Sequence, residues 1–303
     1  MLVEKPIDEI ISEFKNLDLS KQPVNEIQKL MTQVGRVSYM RIVIHKGATF
    51  MRARPNKEDE RFRNKSDLSF KPQIFNKTYQ RASTPNQTMF YASFLPVIPS
   101  PLEFNTRIIG ALESLPWLRD KTTSGYKRIT FSKWLAEEDL NLFAIIAKDE
   151  FYTENDYTKE IVDAYNNFIK QEDVLFVERS LKYHKFIADE FAKEVDDDTD
   201  YMISALFTET VTQNPNIDGI LYPSMRVNGK GFNVAIKPES CKKIALYAAG
   251  ECSIYKRKGQ TVIGNDSIVE LDGKTDNFEF AEIPNYRKEC LEQLGVKTID
   301  ELI

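Results

Sequence analysis

Two arginines separated by a single residue are the first sign of chemistry in this chain. Arg52 and Arg54, in Thr49–Pro55 (TFMRARP), share one face of an extended strand because side chains alternate along it. Neighbouring guanidiniums repel unless an anion lies between them, and their planar forks suit bidentate contact with phosphate. On its own the segment reads more plainly as two surface arginines on an edge strand. A further basic residue, Arg81, precedes a polar turn and the stretch MFYASF, where Tyr91 could stack on a flat ring or simply fill core. A third segment, 218–233, reads DGILYPSMRVNGKGFN. It runs from a short apolar strand into Tyr222-Pro223-Ser224, then Arg226, a glycine turn and Asn233. At such a strand end the Ser224 hydroxyl and the backbone N–H groups could face an anion; the alternative is a plain hairpin. Two carboxylates accompany the helix expected after the Tyr91 strand. Glu103 near its start suits the N-terminal dipole, whereas Glu113 near its end sits among apolar positions. Glu113 is either a helix-surface residue or is held towards a pocket.

Several chemistries are excluded. Neither a G-x-G-x-x-G nor a G-x-x-x-x-G-K-[ST] motif occurs, and no G-x-S-x-G surrounds Ser224. With His45 and His184 the only histidines, and Cys241, Cys252 and Cys290 unpaired in sequence, a zinc site or disulfide framework is not expected. The run Asp196-Asp197-Asp198 lacks EF-hand spacing and reads as a loop and helix N-cap. The net charge of −5 conceals an asymmetry: residues 41–81 carry eleven Lys/Arg against four Asp/Glu, and residues 150–200 carry fifteen acids against six bases. An acidic chain is not expected to bind nucleic acid, but its basic segment could hold a small anion. No apolar run approaches the roughly 18 residues of a membrane span, and the N-terminus lacks a signal-peptide core. The expectation is a cytoplasmic protein without membrane contact.

The elements that must position these residues follow from periodicity. Helical spacing marks 7–16 and 24–34, then 102–115 with Ser100 as N-cap, then 156–170, 174–194, 199–213 and 284–294. Strands are expected at 49–55, 88–93, 127–134, 140–148, 219–222, 232–237 and 243–255. Residues 56–86 read as a long loop, and Gly264-Asn265-Asp266 between β-branched residues signals a hairpin turn. Strands on both sides of a helical run, without βαβ alternation, favour an α+β fold with a split sheet.

Taken in order, TFMRARP, RASTPNQTMFYAS, the Glu-bearing helix, KRITFSKWLAEEDLNLF and DGILYPSMRVNGKGFNVAIKPE resemble the RES-domain family, named for an Arg, a Glu and a Ser. The resemblance runs from about residue 49 to 255. It implies an ADP-ribosyltransferase-like α+β fold: a split mixed or antiparallel sheet with flanking helices. It also implies an NAD+-consuming enzyme that breaks the nicotinamide–ribose bond and passes ADP-ribose to phosphate or water. NAD+ is then substrate, and no cofactor or metal is required. Family members include toxins held by a cognate antitoxin protein. Transfer to a macromolecule, or NAD+ binding without turnover, are the alternatives. Carried over by position, the catalytic residues are Arg52, Glu113 and Ser224. The NAD+-binding residues are Arg81, Tyr91, Arg54, Tyr222, Arg226 and Asn233. Glu113 keeps the family's Ala-Leu-Glu context and Glu103 its shorter spacing; Glu113 is preferred. The domain layout expected is a helical cap over 1–45, the NAD+-binding domain over 46–256, and an extension over 257–303 packed on it.

Overall fold

The structure, a computed structural model, describes residues 5–58, 60–96, 106–146, 156–195, 197–284 and 286–302. Its helices are α1 (Ile7–Lys15), α2 (Val24–Gln33), α3 (Thr106–Ser114), α4 (Pro116–Arg119), α5 (Asp156–Ile169), α6 (Val174–Ala192), α7 (Met202–Thr212) and α8 (Arg287–Gln293). Its strands are β1 (Arg41–Ile44), β2 (Thr49–Pro55), β3 (Phe90–Phe94), β4 (Gly125–Ala136), β5 (Leu140–Ala144), β6 (Gly219–Pro223), β7 (Phe232–Ile236), β8 (Ile244–Arg257), β9 (Gln260–Glu270) and β10 (Ala281–Glu282). Helices and strands mix without regular alternation, and parallel and antiparallel pairs both occur. This is a mixed α and β fold, compatible with the α+β class. No helix among the described residues is long and apolar enough to cross a membrane.

The chain divides into two compact units, each assembled from three stretches of sequence. The first holds residues 1–44, 71–90 and 139–241; the second holds 45–70, 91–138 and 242–303. Residues 46–256 therefore contribute to both units, and 257–303 fold with the second.

In the first unit β1 pairs antiparallel with β5, β5 parallel with β6, and β6 antiparallel with β7. A parallel pair cannot be closed by a tight turn, so the connection from β5 to β6 carries α5, α6 and α7. Strands β6 (GILYP) and β7 (FNVAI) are buried at every position, which is why they read as apolar runs rather than alternating ones. Helix α7 is buried continuously from Met202 to Thr208. Helix α1 buries the stripe Ile7, Ile10 and Phe14, and the Phe14 ring lies 5.1 Å from that of Phe186 on α6. Asp197 caps the short turn leading into α7 by accepting from the Thr199 N–H, as the acidic run suggested.

The second unit is antiparallel throughout: β4 pairs with β2 and β8, β9 with β8 and β10, and β3 with the outer edge of β2. Helix α3 covers one face. Its Ala111, with Leu115, packs against Ile129, Phe131 and Cys252, joined by Met51 and Ala53. The approach is close because Gly110 has no side chain: a Cβ there would lie 3.0 Å from the Ala53 Cβ. Only the part of the expected 102–115 helix from Thr106 onward is described; Ser100 and Glu103 lie outside the described residues. Helix α8 and the chain after it pack Cys290, Leu291 and Leu294 against Tyr255.

The hairpin signal at Gly264-Asn265-Asp266 is corrected. Strand β9 runs unbroken from Gln260 to Glu270, and the turn lies earlier, at Lys258-Gly259. Both turn residues have positive φ, +48° and +79°, the geometry of a two-residue primed turn. Ser267 pairs with Glu251 and Asn265 with Cys252, so Asp266 is the extra residue of a β-bulge. The turn-forming residue types mark that bulge instead.

Candidate active site

The second unit holds Arg52, Arg54, Tyr91 and Glu113, and the first holds Arg81, Tyr222, Ser224, Arg226 and Asn233. In β2 the pairing register sets the direction of each side chain. Arg52 stands opposite Ser132, Ala53 opposite Phe131, and Arg54 opposite Thr130. Thr130 in turn stands opposite Glu251, and Glu251 opposite Ser267. Ala53 and Phe131 face α3, so Arg52, Arg54, Thr130, Ser132, Glu251 and Ser267 share the opposite, polar face.

That face is densely hydrogen-bonded. Arg52 Nη1 donates to the Tyr91 carbonyl at 2.7 Å, tying the basic strand to the aromatic strand. The Ser132 hydroxyl accepts from Trp134 Nε1 at 3.0 Å. Arg54 donates to the Asp67 carbonyl, sits 3.5 Å from Glu60 and lies 4.3 Å over the Phe62 ring. Its fork thus organises the 56–70 segment. Thr130 donates to Asn56 Oδ1 at 2.9 Å. Glu251 is 1 % exposed, pairs with Arg128 at 3.2 Å and accepts from Ser267 at 2.7 Å.

Glu113 is half-buried on α3, which packs on the face away from the Arg52 and Arg54 side chains. The second unit therefore holds two carboxylates of interest on opposite sides of one sheet. Sequence reasoning named Glu113 and missed Glu251. The available signal was one carboxylate inside an otherwise small and apolar strand, YAAGECSIY, since an unpaired charge is almost never placed in a core. Buried Lys256 follows the same logic with a structural outcome: it donates to the Trp117 carbonyl at 2.7 Å and to Thr123 Oγ1 at 2.8 Å at the end of α4.

In the first unit Tyr222, Ser224 and Asn233 meet on one hairpin. Tyr222 and Asn233 are opposite each other across β6 and β7, at 5 % and 7 % exposure. Fully buried Ser224 follows β6. Its N–H donates to the Gly231 carbonyl at 2.8 Å, and its own carbonyl accepts from the Gly229 N–H at 2.9 Å. Arg226 pairs with Glu194 at 2.6 Å. Arg81 reaches the end of α6, where it donates to the Phe191 carbonyl, to the Lys193 carbonyl at 3.1 Å and to the Tyr201 hydroxyl at 3.3 Å, with its guanidinium over the Tyr201 ring. A cation on the last carbonyls of a helix complements the negative end of its dipole.

His184 is buried in the first unit. Its ring stacks between Tyr39 and Tyr165, with centroids 5.7 and 5.1 Å away. Nε2 lies 2.6 Å from the Ser38 carbonyl, which can only accept, so Nε2 carries the proton. Burial pushes the imidazole down to about 4. It is neutral at pH 7. Among the described residues no cluster of three His, Cys, Asp or Glu side chains is placed to hold a metal ion. In comparisons with known proteins, no family model and no curated protein matches this chain.

Proposed function

We propose that this chain is an NAD+-consuming enzyme that breaks the nicotinamide–ribose bond and passes ADP-ribose to phosphate or water. The reading starts from the RES-like order of segments. The observation that supports it is the coupling of the basic strand to the aromatic strand. Phe50 and Met51 of β2 pair with Phe94 and Ser93 of β3, and Arg52 binds the Tyr91 carbonyl. The two segments that the resemblance assigns to substrate binding are neighbours.

The chemistry asks little of acid catalysis. Nicotinamide leaves NAD+ as a neutral molecule from an already cationic ring, so no proton need be supplied. The demands are a grip on the diphosphate and stabilisation of the positive charge that develops on the ribose. Guanidiniums suit the first demand, and the resemblance assigns Arg52, Arg54, Arg81 and Arg226 to it. A carboxylate suits the second; the resemblance assigns Glu113 to it, on the side of the second unit's sheet away from the Arg52 and Arg54 side chains. By the resemblance Tyr91 is assigned to the nicotinamide ring and Ser224 to a phosphate or the nicotinamide ribose, with Tyr222 and Asn233 as further NAD+-binding residues.

NMR of NAD+ incubated with the purified protein, with and without inorganic phosphate, tests this directly. Release of nicotinamide is expected, with a phosphate-dependent ADP-ribose product if phosphate is the acceptor. ADP-ribose label retained on a macromolecule would move the activity to transfer onto that target. Intact NAD+ after long incubation with folded protein would sink the proposal.

A further inference from the structure

Residues far apart in the sequence converge on the last turn of α6 in the first unit. Arg81 donates to the Phe191 and Lys193 carbonyls, the Tyr222 ring lies 5.3 Å from the Phe191 ring, and Arg226 Nη1 reaches Glu194 Oε1 at 2.6 Å. Two guanidiniums assigned to NAD+ binding therefore sit around residues 191–194, and one of them already holds a carboxylate. The two sides of that ion pair are unequal. The Arg226 side chain is 18 % exposed and that of Glu194 80 %. A guanidinium largely removed from water needs an anion against it, whereas an exposed carboxylate is hydrated nearly as well without its partner as with it. Glu194 also lies two residues beyond Ala192, the end of α6, where the negative pole of the helix disfavours a carboxylate. The cation is fixed and its counter-ion is loosely held.

The neighbouring charges narrow the choice of ligand. Lys193 is paired with buried Glu190 at 2.6 Å, and Arg81 is spent on backbone carbonyls and the Tyr201 ring. Asp197 is turned onto the Thr199 N–H and hydroxyl, both at 2.8 Å. Asp198 and Asp200 precede Tyr201 and keep the neighbourhood from being strongly positive, so selection falls to close contact rather than to attraction at a distance. A carboxylate offers the Arg226 fork one charge and two oxygens; a diphosphate offers two charges and more oxygens in the same planar geometry. We propose that Glu194 holds the place of a phosphoryl group on Arg226: its carboxylate closes the anion site in the free protein, and the diphosphate of the substrate displaces it. This deepens the NAD+ reading and rests on it for the identity of the ligand. Glu194 is then a built-in competitor, which raises the substrate concentration needed for binding and turns away anions weaker than a phosphate.

Isothermal titration of inorganic pyrophosphate into the full chain tests the competition without relying on turnover. Glu194→Gln should bind pyrophosphate about threefold to fivefold more tightly than wild type, the scale of one exposed ion pair. Arg226→Gln should weaken binding by about tenfold or more. In the Arg226→Gln background Glu194→Gln should gain nothing, because no guanidinium is left to release. Asp198→Asn removes a nearby exposed carboxylate outside the ion pair and should change the affinity by less than about twofold. Glu194 is exposed, so an unchanged thermal midpoint is expected; should the glutamine variant unfold, Glu194→Ser takes its place. The proposal fails if wild type and Glu194→Gln bind pyrophosphate equally, if Asp198→Asn gains as much as Glu194→Gln, or if no variant binds it. Assays with NAD+ separate it from the reading on which it rests. Nicotinamide release with the same KM for NAD+ in wild type and Glu194→Gln keeps the enzyme and overturns the competitor. The expected pyrophosphate pattern, with NAD+ neither bound nor cleaved, keeps the competitor and overturns the enzyme.

Discussion

At the scale of single residues, the choice between Glu113 and Glu251 decides the chemistry. They lie on opposite sides of the second unit's sheet, and Glu251 shares its face with Arg54. If Glu113 faces a cation formed near the transition state, Glu113→Gln should lower kcat by roughly 10²–10³-fold, about 3–4 kcal/mol, with little change in KM. Arg52→Ala should raise KM as well, since phosphate is present before and during reaction. Glu251→Gln should act differently. It leaves Arg128 without its charge partner in a buried network, so a stability loss of about 3 kcal/mol is expected, with kcat per folded molecule retained. Steady-state kinetics alongside urea unfolding separates the two outcomes. If Glu251→Gln folds and is inactive while Glu113→Gln turns over, the carboxylate has been assigned to the wrong face. The types and spacing of Arg52, Arg54, Tyr91 and Ser224 were legible because they recur in short local patterns. Glu251 was not, because only cross-strand register aligns it with Arg54.

Elements show where local signals suffice. The helical stripes of α1 and α2 and the apolar runs of β6 and β7 appear where periodicity placed them, because each buries one face or all of its surface. The short strand β1, Arg41–Ile44, went unread, since four residues carry too little pattern. The hairpin was placed six residues late, because Gly, Asn and Asp serve bulges as well as turns. That correction is testable. Gly259→Ala should cost about 1–2 kcal/mol, as its φ of +79° puts a Cβ in the left-handed region. Gly264→Ala meets no backbone penalty of this kind, and its new Cβ has only the Cys290 Sγ, 3.2 Å away, to displace. Thermal unfolding should show the larger loss at Gly259; the reverse order would contradict the observed turn. At the α3–β2 contact Gly110→Ala should destabilise by about 1–3 kcal/mol, because Ala53 cannot yield without moving its strand. A variant as stable as wild type would show that the helix has slack there.

For the whole molecule, buried His184 links folding to pH. Its imidazole falls from the ordinary 6.5 to about 4 in the folded chain, because burial penalises the charged ring. A depressed folded value means that its contribution is complete above about pH 6.5 and is lost as pH falls through 4. Over that window the loss from this group is about 3 kcal/mol. His184→Phe keeps a ring between Tyr39 and Tyr165 and should remove this share of the acid sensitivity, as read from urea midpoints between pH 7.5 and 4.5. An unchanged pH slope would place the sensitivity in other groups. Sequence alone determined most of the element types, the mixed α and β class, the segments that carry Arg52, Tyr91 and Ser224, and the absence of common nucleotide and metal motifs. All of these rest on residue identity and spacing within about twenty positions. Tertiary structure alone decided that each unit is built from three distant stretches, with 71–90 folding among 139–241 and 45–70 among 242–303. It also decided that Arg81 ends on the carbonyls of α6, and that Glu113 and Glu251 stand on opposite faces of one sheet. The reason is physical: strand pairing and burial join residues more than a hundred positions apart, and no local period records which partner wins.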